Sequence, residues 1–381
     1  MDAPALPDPA ALSRGALLDE LACYLRPPGQ GIHAVSTGRV SLLAKTQAYL
    51  GASWEPDSSW RAHLDAVLTG EARCAILAIP SDTGAGIVRG AAWGPEAIRG
   101  ALGAAPVPDL GDVFCIPQLL DEEMLSDSAR TRCQDALWPE LSAARRHSLP
   151  VSPLGMAERA RRLVSALVPG LRLFMLGGDH TVTWPVLKPL LEGDVEDLGV
   201  LHFDAHTDLL PARLGIVNCF ATWAFHANAA LGGGQRLLQI GIRASGRDRA
   251  HWEESLGVRQ LWGSEIRELA PADLASLAVT HLRARGVRRV YISNDIDGTD
   301  AHWAGACGTP EPDGLTPAQV ETMIRVIGAE FEVVGADLVE LAPGLGLDQG
   351  VAARSIDTAL RYARVTLEAL QSAPTKQAEY S

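Results

Sequence analysis

Leu198-Gly199-Val200-Leu201-His202-Phe203-Asp204-Ala205-His206-Thr207-Asp208 decides the reading of this chain. A short apolar run ends in two carboxylates and a histidine at alternate positions, 204, 206 and 208. Side chains alternate along extended backbone, so these three point the same way. Oxygen and imidazole donors are thus placed at the end of a buried strand. Such donors suit Mn²⁺, Zn²⁺, Ni²⁺ or Fe²⁺, and the absence of nearby thiolates argues against a structural zinc knot.

Two further segments repeat the arrangement. Gly177-Gly178-Asp179-His180 follows the apolar run Leu171–Leu176, and Ser293-Asn294-Asp295-Ile296-Asp297 follows Arg289-Val290-Tyr291-Ile292. Each sets donors at the C-terminal end of an expected strand, where open α/β sheets hold their ligands. His180, Asp204, His206, Asp208, Asp295 and Asp297 make a set of candidate metal ligands. That is more than one small catalytic ion with an open position takes. It suits two ions ~3.5–4 Å apart that share bridging carboxylates. A single D-x-H-x-D also occurs in solvated turns, so the weight rests on three such segments together.

In this order the motifs resemble those of the ureohydrolase (arginase–agmatinase) superfamily: GGDH, DAHxD, SxDxDxxD, a GTPxPGGLT-like loop and a late xxVExxP. Here they read Gly177–His180, Asp204–Asp208, Ser293–Asp300, Gly308–Thr316 and Leu338–Pro343, with an earlier match from Ile79–Gly84 to Gly94–Arg99. The resemblance runs over roughly residues 73 to 370. It implies a three-layer α/β/α sandwich with a mostly parallel sheet. It also implies two divalent metal ions, manganese first and nickel as the alternative, and hydrolysis of a guanidinium group to urea. By motif position, Asp204 and Asp295 bridge the ions, His180 and Asp208 complete one, and His206 and Asp297 the other. Glu340 falls where the family carries a glutamate that pairs with the substrate guanidinium, a planar cation suited to paired N–H···O bonds. Asp208 is placed to accept a proton during the reaction. Val334, Val339 and Leu341 flank Glu340 and mark a buried strand rather than a surface glutamate, and an unpaired buried glutamate is costly.

The chain departs from the family after DAHxD. Most members carry a histidine there, regarded as a proton shuttle to the leaving amine. The matching stretch here is Gly215-Ile216-Val217-Asn218-Cys219-Phe220-Ala221-Thr222-Trp223, and Cys219 takes the histidine's place. Buried cysteine is commonly inert, so packing is the favoured reading for it. Helical spacing puts Cys219, Trp223 and His226 on one face, as one wall of a substrate pocket. The loop Leu209–Gly215 is apolar with a single arginine, Arg213, where true arginases use polar residues to read an amino-acid head group. Free arginine is therefore disfavoured as substrate. His302-Trp303 stands where the family often has proline and small residues.

Layout agrees with an α/β sheet. From Cys74 onward, apolar β-runs (73–79, 172–176, 198–203, 236–242, 288–293 and 332–339) alternate with helical stretches, the pattern of a parallel sheet covered on both faces. Residues 1–70 read as a helical N-terminal extension (12–25, 39–50 and 60–68) with no β-run, residues 71–372 as the catalytic domain, and 373–381 as a disordered tail. Every candidate ligand lies beyond residue 170, so the extension is expected to be dispensable for building the metal site.

The net charge of −13 disfavours nucleic acid and anionic membranes and favours a cationic substrate. Six scattered cysteines suit a reducing cytoplasm, and no signal-peptide pattern or membrane span is expected. The leading expectation is a binuclear amidinohydrolase acting on an agmatine-, guanidinobutyrate- or guanidine-like compound, as a homo-oligomer (trimer or hexamer by resemblance). Alternatives are an arginase, a formiminoglutamase-type hydrolase that releases formamide, and a non-catalytic pseudoenzyme or regulatory partner.

Overall fold

The computed structural model describes residues 6–32, 60–70 and 72–372. Nine strands form one sheet: β1 Leu25–Arg26, β2 Cys74–Ile79, β3 Asp109–Val113, β4 Arg172–Gly177, β5 Leu198–Phe203, β6 Leu237–Ile242, β7 Arg259–Trp262, β8 Arg289–Asp295 and β9 Glu332–Val339. Their order is β1-β3-β2-β4-β9-β8-β5-β6-β7. Every neighbouring pair is parallel except β1 with β3. Parallel strands need covered crossovers, so both faces are buried and β2 and β5 are buried along their whole lengths.

Alternation divides the core between the two faces. Ile76, Phe174, Leu201, Phe203 and Ile292 pack with the helices Pro271–Ala284, Pro317–Glu330 and Gln349–Gln371. Leu77, Leu173 and Met175 pack on the other face with the helix Pro153–Leu167. Val200, Leu237 and Tyr291 pack there with the helix Trp223–Leu231. The result is the three-layer α/β/α sandwich. The helices start where the sequence provides caps. Ser152 accepts from Gly155 N–H, and Thr316 and Gln319 form a capping box ahead of Pro317–Glu330.

Three strands were not expected from periodicity. β3 reads Asp109-Leu110-Gly111-Asp112-Val113, too polar for a buried strand taken alone. Arg99 resolves this from the preceding helix, Gly94–Leu102: its Nε and Nη2 bond Asp109 at 2.8 and 2.7 Å, and its Nη1 bonds Asp112. β7 is only four residues long. β1 continues directly from the helix Arg14–Tyr24 and pairs Leu25 with Val113.

The described part of residues 1–70 is therefore woven into the sheet. Leu17, Leu18, Leu21, Tyr24, Leu64 and Leu68 share one core with β2, β3 and the helix Pro153–Leu167. Buried Glu20 accepts from Arg159 Nε at 2.6 Å and Arg145 Nη2 at 2.7 Å. The helix expected over 39–50 and the tail 373–381 lie outside the described residues. No helix among the described residues is long and apolar enough to cross a membrane.

Candidate metal centre

The candidate ligands come from the ends of three strands, β4, β5 and β8, and Glu340 follows β9, which lies between β4 and β8. β4, β9, β8 and β5 end at one edge of the sheet, and His180, Glu340, Asp295 and the 204–208 segment sit at or just beyond those ends. Close backbone approach makes this edge compact. A Cβ at Gly178 would stand 1.9 Å from Ser81 O, and one at Gly298 would stand 2.7 Å from Asp204 N, so glycine is required at both.

His180 lies at the centre. Its Nδ1 is 3.0 Å from Asp295 Oδ2 and 3.3 Å from both Asp204 Oδ2 and Asp208 Oδ2. Its Nε2 is 2.9 Å from Ser293 Oγ, whose hydroxyl donates to Asp337 Oδ1 at 2.9 Å. Ser293, which donates to Asp337, accepts from Nε2–H, so in a neutral His180 the Nδ1 lone pair on the carboxylate side is the one a cation would take. Tyr291 donates to the other oxygen of Asp337 at 2.9 Å.

His206, about a quarter exposed, points its Nδ1 at Asp297 Oδ2 (3.1 Å) and Asp204 Oδ1 (3.3 Å). Asp204 thus spans the cluster, one oxygen toward His180 and the other toward His206. Two groups with metal-compatible spacing result, His180, His202, Asp204 and Asp208, and Asp204, His206 and Asp297. Asp297 is fixed by Ala205 N–H at 3.1 Å and the Thr309 hydroxyl at 3.0 Å. Asp295 Oδ1 accepts Asp297 N–H at 2.9 Å.

The electrostatics call for added positive charge. Asp204, Asp208, Asp295, Asp297 and Glu340 are all buried, and their ion pairs among the described residues are with histidines only. Burial raises the pKa of Asp208 and Asp295 well above the ordinary carboxylate range, and neighbouring carboxylates add to it. Asp204 goes the opposite way: burial opposes ionisation, but His202, His180 and His206 outweigh it. Burial likewise resists charge on His180 and His206, yet the surrounding carboxylates raise both, His206 to about 12. Carboxylates crowded in a low-dielectric site are costly without a cation. Oxygen and imidazole donors in two overlapping groups fit a pair of divalent ions.

Glu340 directly follows β9 with φ 65°, a conformation unusual for any residue but glycine. Its N–H donates to Gly178 O at 2.8 Å, and its Oε1 accepts His180 N–H at 2.9 Å. Oε2 faces Gly308: a Cβ there would lie 3.8 Å away. Burial, reinforced by Asp179, raises the Glu340 pKa well above its ordinary value.

Cys219, Trp223 and His226 do not share a helix face, because the helix begins only at Trp223. Cys219 lies in the preceding turn, its N–H donating to Thr222 Oγ1 at 3.0 Å, and burial raises its thiol pKa. Trp223 is buried, donates Nε1–H to Asp208 Oδ2 at 3.0 Å, and stacks on His180 with ring centroids 4.7 Å apart. His226 points elsewhere, bonding Val217 O at 3.0 Å and lying beside Trp184. Arg213 sits over the Phe220 ring, and Trp303 is partly exposed.

Sequence reasoning passed over His202, Asp337, Gln239 and Arg243. His202 had a signal, since it lies two residues before Asp204 on the same strand face. Its Nε2 is 2.8 Å from Asp204 Oδ2. Arg243 had none. It donates to backbone carbonyls at Asp297, Glu311 and Pro312 and ties the ligand loop to the 308–316 loop.

A parallel sheet whose strand ends gather two overlapping Asp/His groups beside a buried glutamate defines a metallohydrolase of the α/β/α type. The chain belongs to the arginase family, whose model matches residues 72–370. It is 35% identical over 279 residues to N(1)-aminopropylagmatine ureohydrolase of Thermus thermophilus, covering 72% of this chain and 84% of that protein. It is 32% identical over 321 residues to the mitochondrial guanidino acid hydrolase of Homo sapiens, covering 79% and 78%. Among solved structures, the proclavaminate amidino hydrolase of Streptomyces clavuligerus superposes with a TM-score of 0.57 at 25% identity, covering 77% and 92%. The family implies a binuclear divalent-metal site, and the Asp/His cluster supplies donors for one.

Proposed function

We propose that this chain hydrolyses the C–N bond of a small guanidino compound of agmatine, guanidinobutyrate or guanidine type, giving urea and an amine, with manganese as its metal. The observation that carries this reading is the convergence of five buried carboxylates and two imidazoles, with Glu340 within reach of His180's backbone. The relatives named for guanidino substrates agree with it.

Two divalent cations, when bound, supply a nucleophilic hydroxide near neutral pH. His180, Asp208, His206 and Asp297 would hold them, with Asp204 and Asp295 shared. Glu340 orients the guanidinium through charge-assisted N–H···O bonds. Asp208 takes the proton released on attack, and Trp223 holds that carboxylate in place. The apolar loop Leu209–Gly215 ranks free arginine below substrates that lack an amino-acid head group.

The site belongs to a homo-oligomer, trimer or hexamer, in the cytoplasm, and six free cysteines are in keeping with that compartment. A urea and ammonia assay across agmatine, 4-guanidinobutyrate, guanidine and arginine with added Mn²⁺ tests the reading. Turnover of one of the first three above arginine is expected. Cys219 in the shuttle position favours a second reading, a non-catalytic relative, and silence on every guanidine and formimino compound would establish it.

A further inference from the structure

One row of the sheet lies directly beneath the metal cluster and is polar throughout. Ser293 on β8, His202 on β5, Gln239 on β6 and Gln260 on β7 are successive cross-strand partners, and all four are buried. Buried polar side chains on a central sheet are expensive unless their hydrogen bonds are complete. The bonds from His202 outward form a chain with only one possible direction.

The direction is set at Trp262, because an indole Nε1–H only donates. Trp262 Nε1 lies 2.9 Å from Gln260 Oε1, which fixes that amide and turns its Nε2 to donate to Gln239 Oε1 at 2.8 Å. Gln239 Nε2 must then donate, and it does so to Thr207 O at 2.6 Å and to His202 Nδ1 at 2.9 Å. The Thr207 carbonyl, an acceptor only, independently requires the same amide orientation. An imidazole nitrogen that accepts carries no proton, so the His202 proton sits on Nε2, 2.8 Å from Asp204 Oδ2.

We propose that His202 is a positioning residue for Asp204, held in its Nε2–H tautomer by the Trp262–Gln260–Gln239 chain, and not itself a metal ligand. With Nε2 protonated and Nδ1 engaged by Gln239, His202 has no lone pair to offer a cation. Asp204 is then pinned at both oxygens, Oδ1 by His206 N–H at 2.6 Å and Oδ2 by His202. Each oxygen keeps a further lone pair toward His206 or His180. Because Asp204 belongs to both donor groups, loosening it weakens both positions at once. The consequence for cation binding rests on the binuclear reading above, whereas the tautomer does not.

Two measurements on the full-length chain test this. Long-range ¹H–¹⁵N correlation of ¹⁵N-histidine protein, metal-free and with Zn²⁺, should show His202 as a neutral ring with an unprotonated Nδ1, assigned by its loss in His202→Phe. Gln239→Glu should abolish that unprotonated Nδ1 signal, because a carboxylate demands a proton there. In Mn²⁺ titrations, His202→Phe should bind roughly 10- to 100-fold more weakly at both positions, the usual effect of losing such a partner. A protonated Nδ1 in the wild-type chain overturns the proposal. So does wild-type affinity in His202→Phe, or outright loss of one ion with the other unchanged, which would mark His202 as a ligand. A wild-type chain that binds no divalent ion but shows the stated tautomer refutes the binuclear reading and leaves the hydrogen-bond chain standing. If His202→Phe does not fold, Gln239→Glu still decides.

Discussion

Trp223 gives its indole N–H to Asp208 Oδ2 at 3.0 Å, while its ring stacks on His180 at an interplanar angle of 28°. One buried side chain thus orients both the carboxylate assigned to proton transfer and the imidazole beside it. Asp208 needs the help. It sits at φ 50°, away from the regions most residues adopt, and its Oδ2 also lies 3.3 Å from His180 Nδ1.

Trp223→Phe keeps a stacking ring and removes the donor. Cation affinity on the His180 side should fall by ~10- to 100-fold, with a smaller change in thermal stability. Trp223→Ala is less informative, because emptying a buried tryptophan site alone costs ~3–5 kcal/mol. Metal titration alongside melting curves separates the two effects. Unchanged affinity in Trp223→Phe would leave the indole with a packing role only.

Two ions per chain are expected by elemental analysis of protein loaded with Mn²⁺. Asp204→Ala should remove both, since its two oxygens face His180 and His206 separately. His206→Ala should chiefly weaken the ion held with Asp297. A single firmly bound ion in saturated wild-type protein would count decisively against the binuclear reading.

The central sheet was legible because β2, β4, β5, β8 and β9 carry their own apolar runs. Each of the six proposed ligands was legible because it sits within a few residues of such a run's end. What escaped depends on side-chain partners carried by other elements. Asp109 and Asp112 make β3 look like a loop until Arg99 reaches them from the helix Gly94–Leu102. Gln239 and Gln260 look like solvent-facing positions until strand register sets them beside His202. Trp223 was read only as part of a substrate-pocket wall shared with Cys219 and His226, whereas its bond to Asp208 depends on a helix that starts four residues after Cys219.

The N-terminal segment gives a prediction from the same kind of long-range contact. Glu20 is held by Arg159 and Arg145, which outweigh the opposing effect of burial and keep its pKa below the ordinary glutamate value. Its stabilisation is therefore fully present above the unfolded-state pKa of ~4.3 and is lost as pH falls through the lower folded value. Glu20→Gln leaves Arg159 buried without its carboxylate and should cost ~3–5 kcal/mol near neutrality. Melts of both proteins from pH 7 downward should converge only once the pH falls below the depressed folded-state pKa of Glu20. Removing everything before residue 70 should be more severe, exposing the edge of β3 that Leu25 covers and leaving an insoluble or unfolded chain.

Cys219 and Glu340 can be ranked by what each still touches. By the resemblance of its motif, Cys219 takes the place of the shuttle histidine, but burial pushes its thiol pKa up, and its backbone is tied into a turn by Thr222. A thiol poised beside two cations would tend to ionise and bind metal rather than deliver a proton to the leaving amine. Glu340 is held from two sides, by Gly178 O on its N–H and by His180 N–H on its Oε1, in a backbone conformation that costs free energy to maintain. Replacing its carboxylate by an amide keeps the shape and removes the charge that orients a guanidinium. Losing a true general acid typically costs ~10²–10⁴ in rate. Cys219→Ser should therefore lower kcat/KM by well under ~10²-fold, and Glu340→Gln by more. Steady-state kinetics of both variants on the preferred guanidine decide the matter. Equal damage in the two would mean that Cys219 has taken over the histidine's task and that this chain moves its proton by a path its relatives do not use.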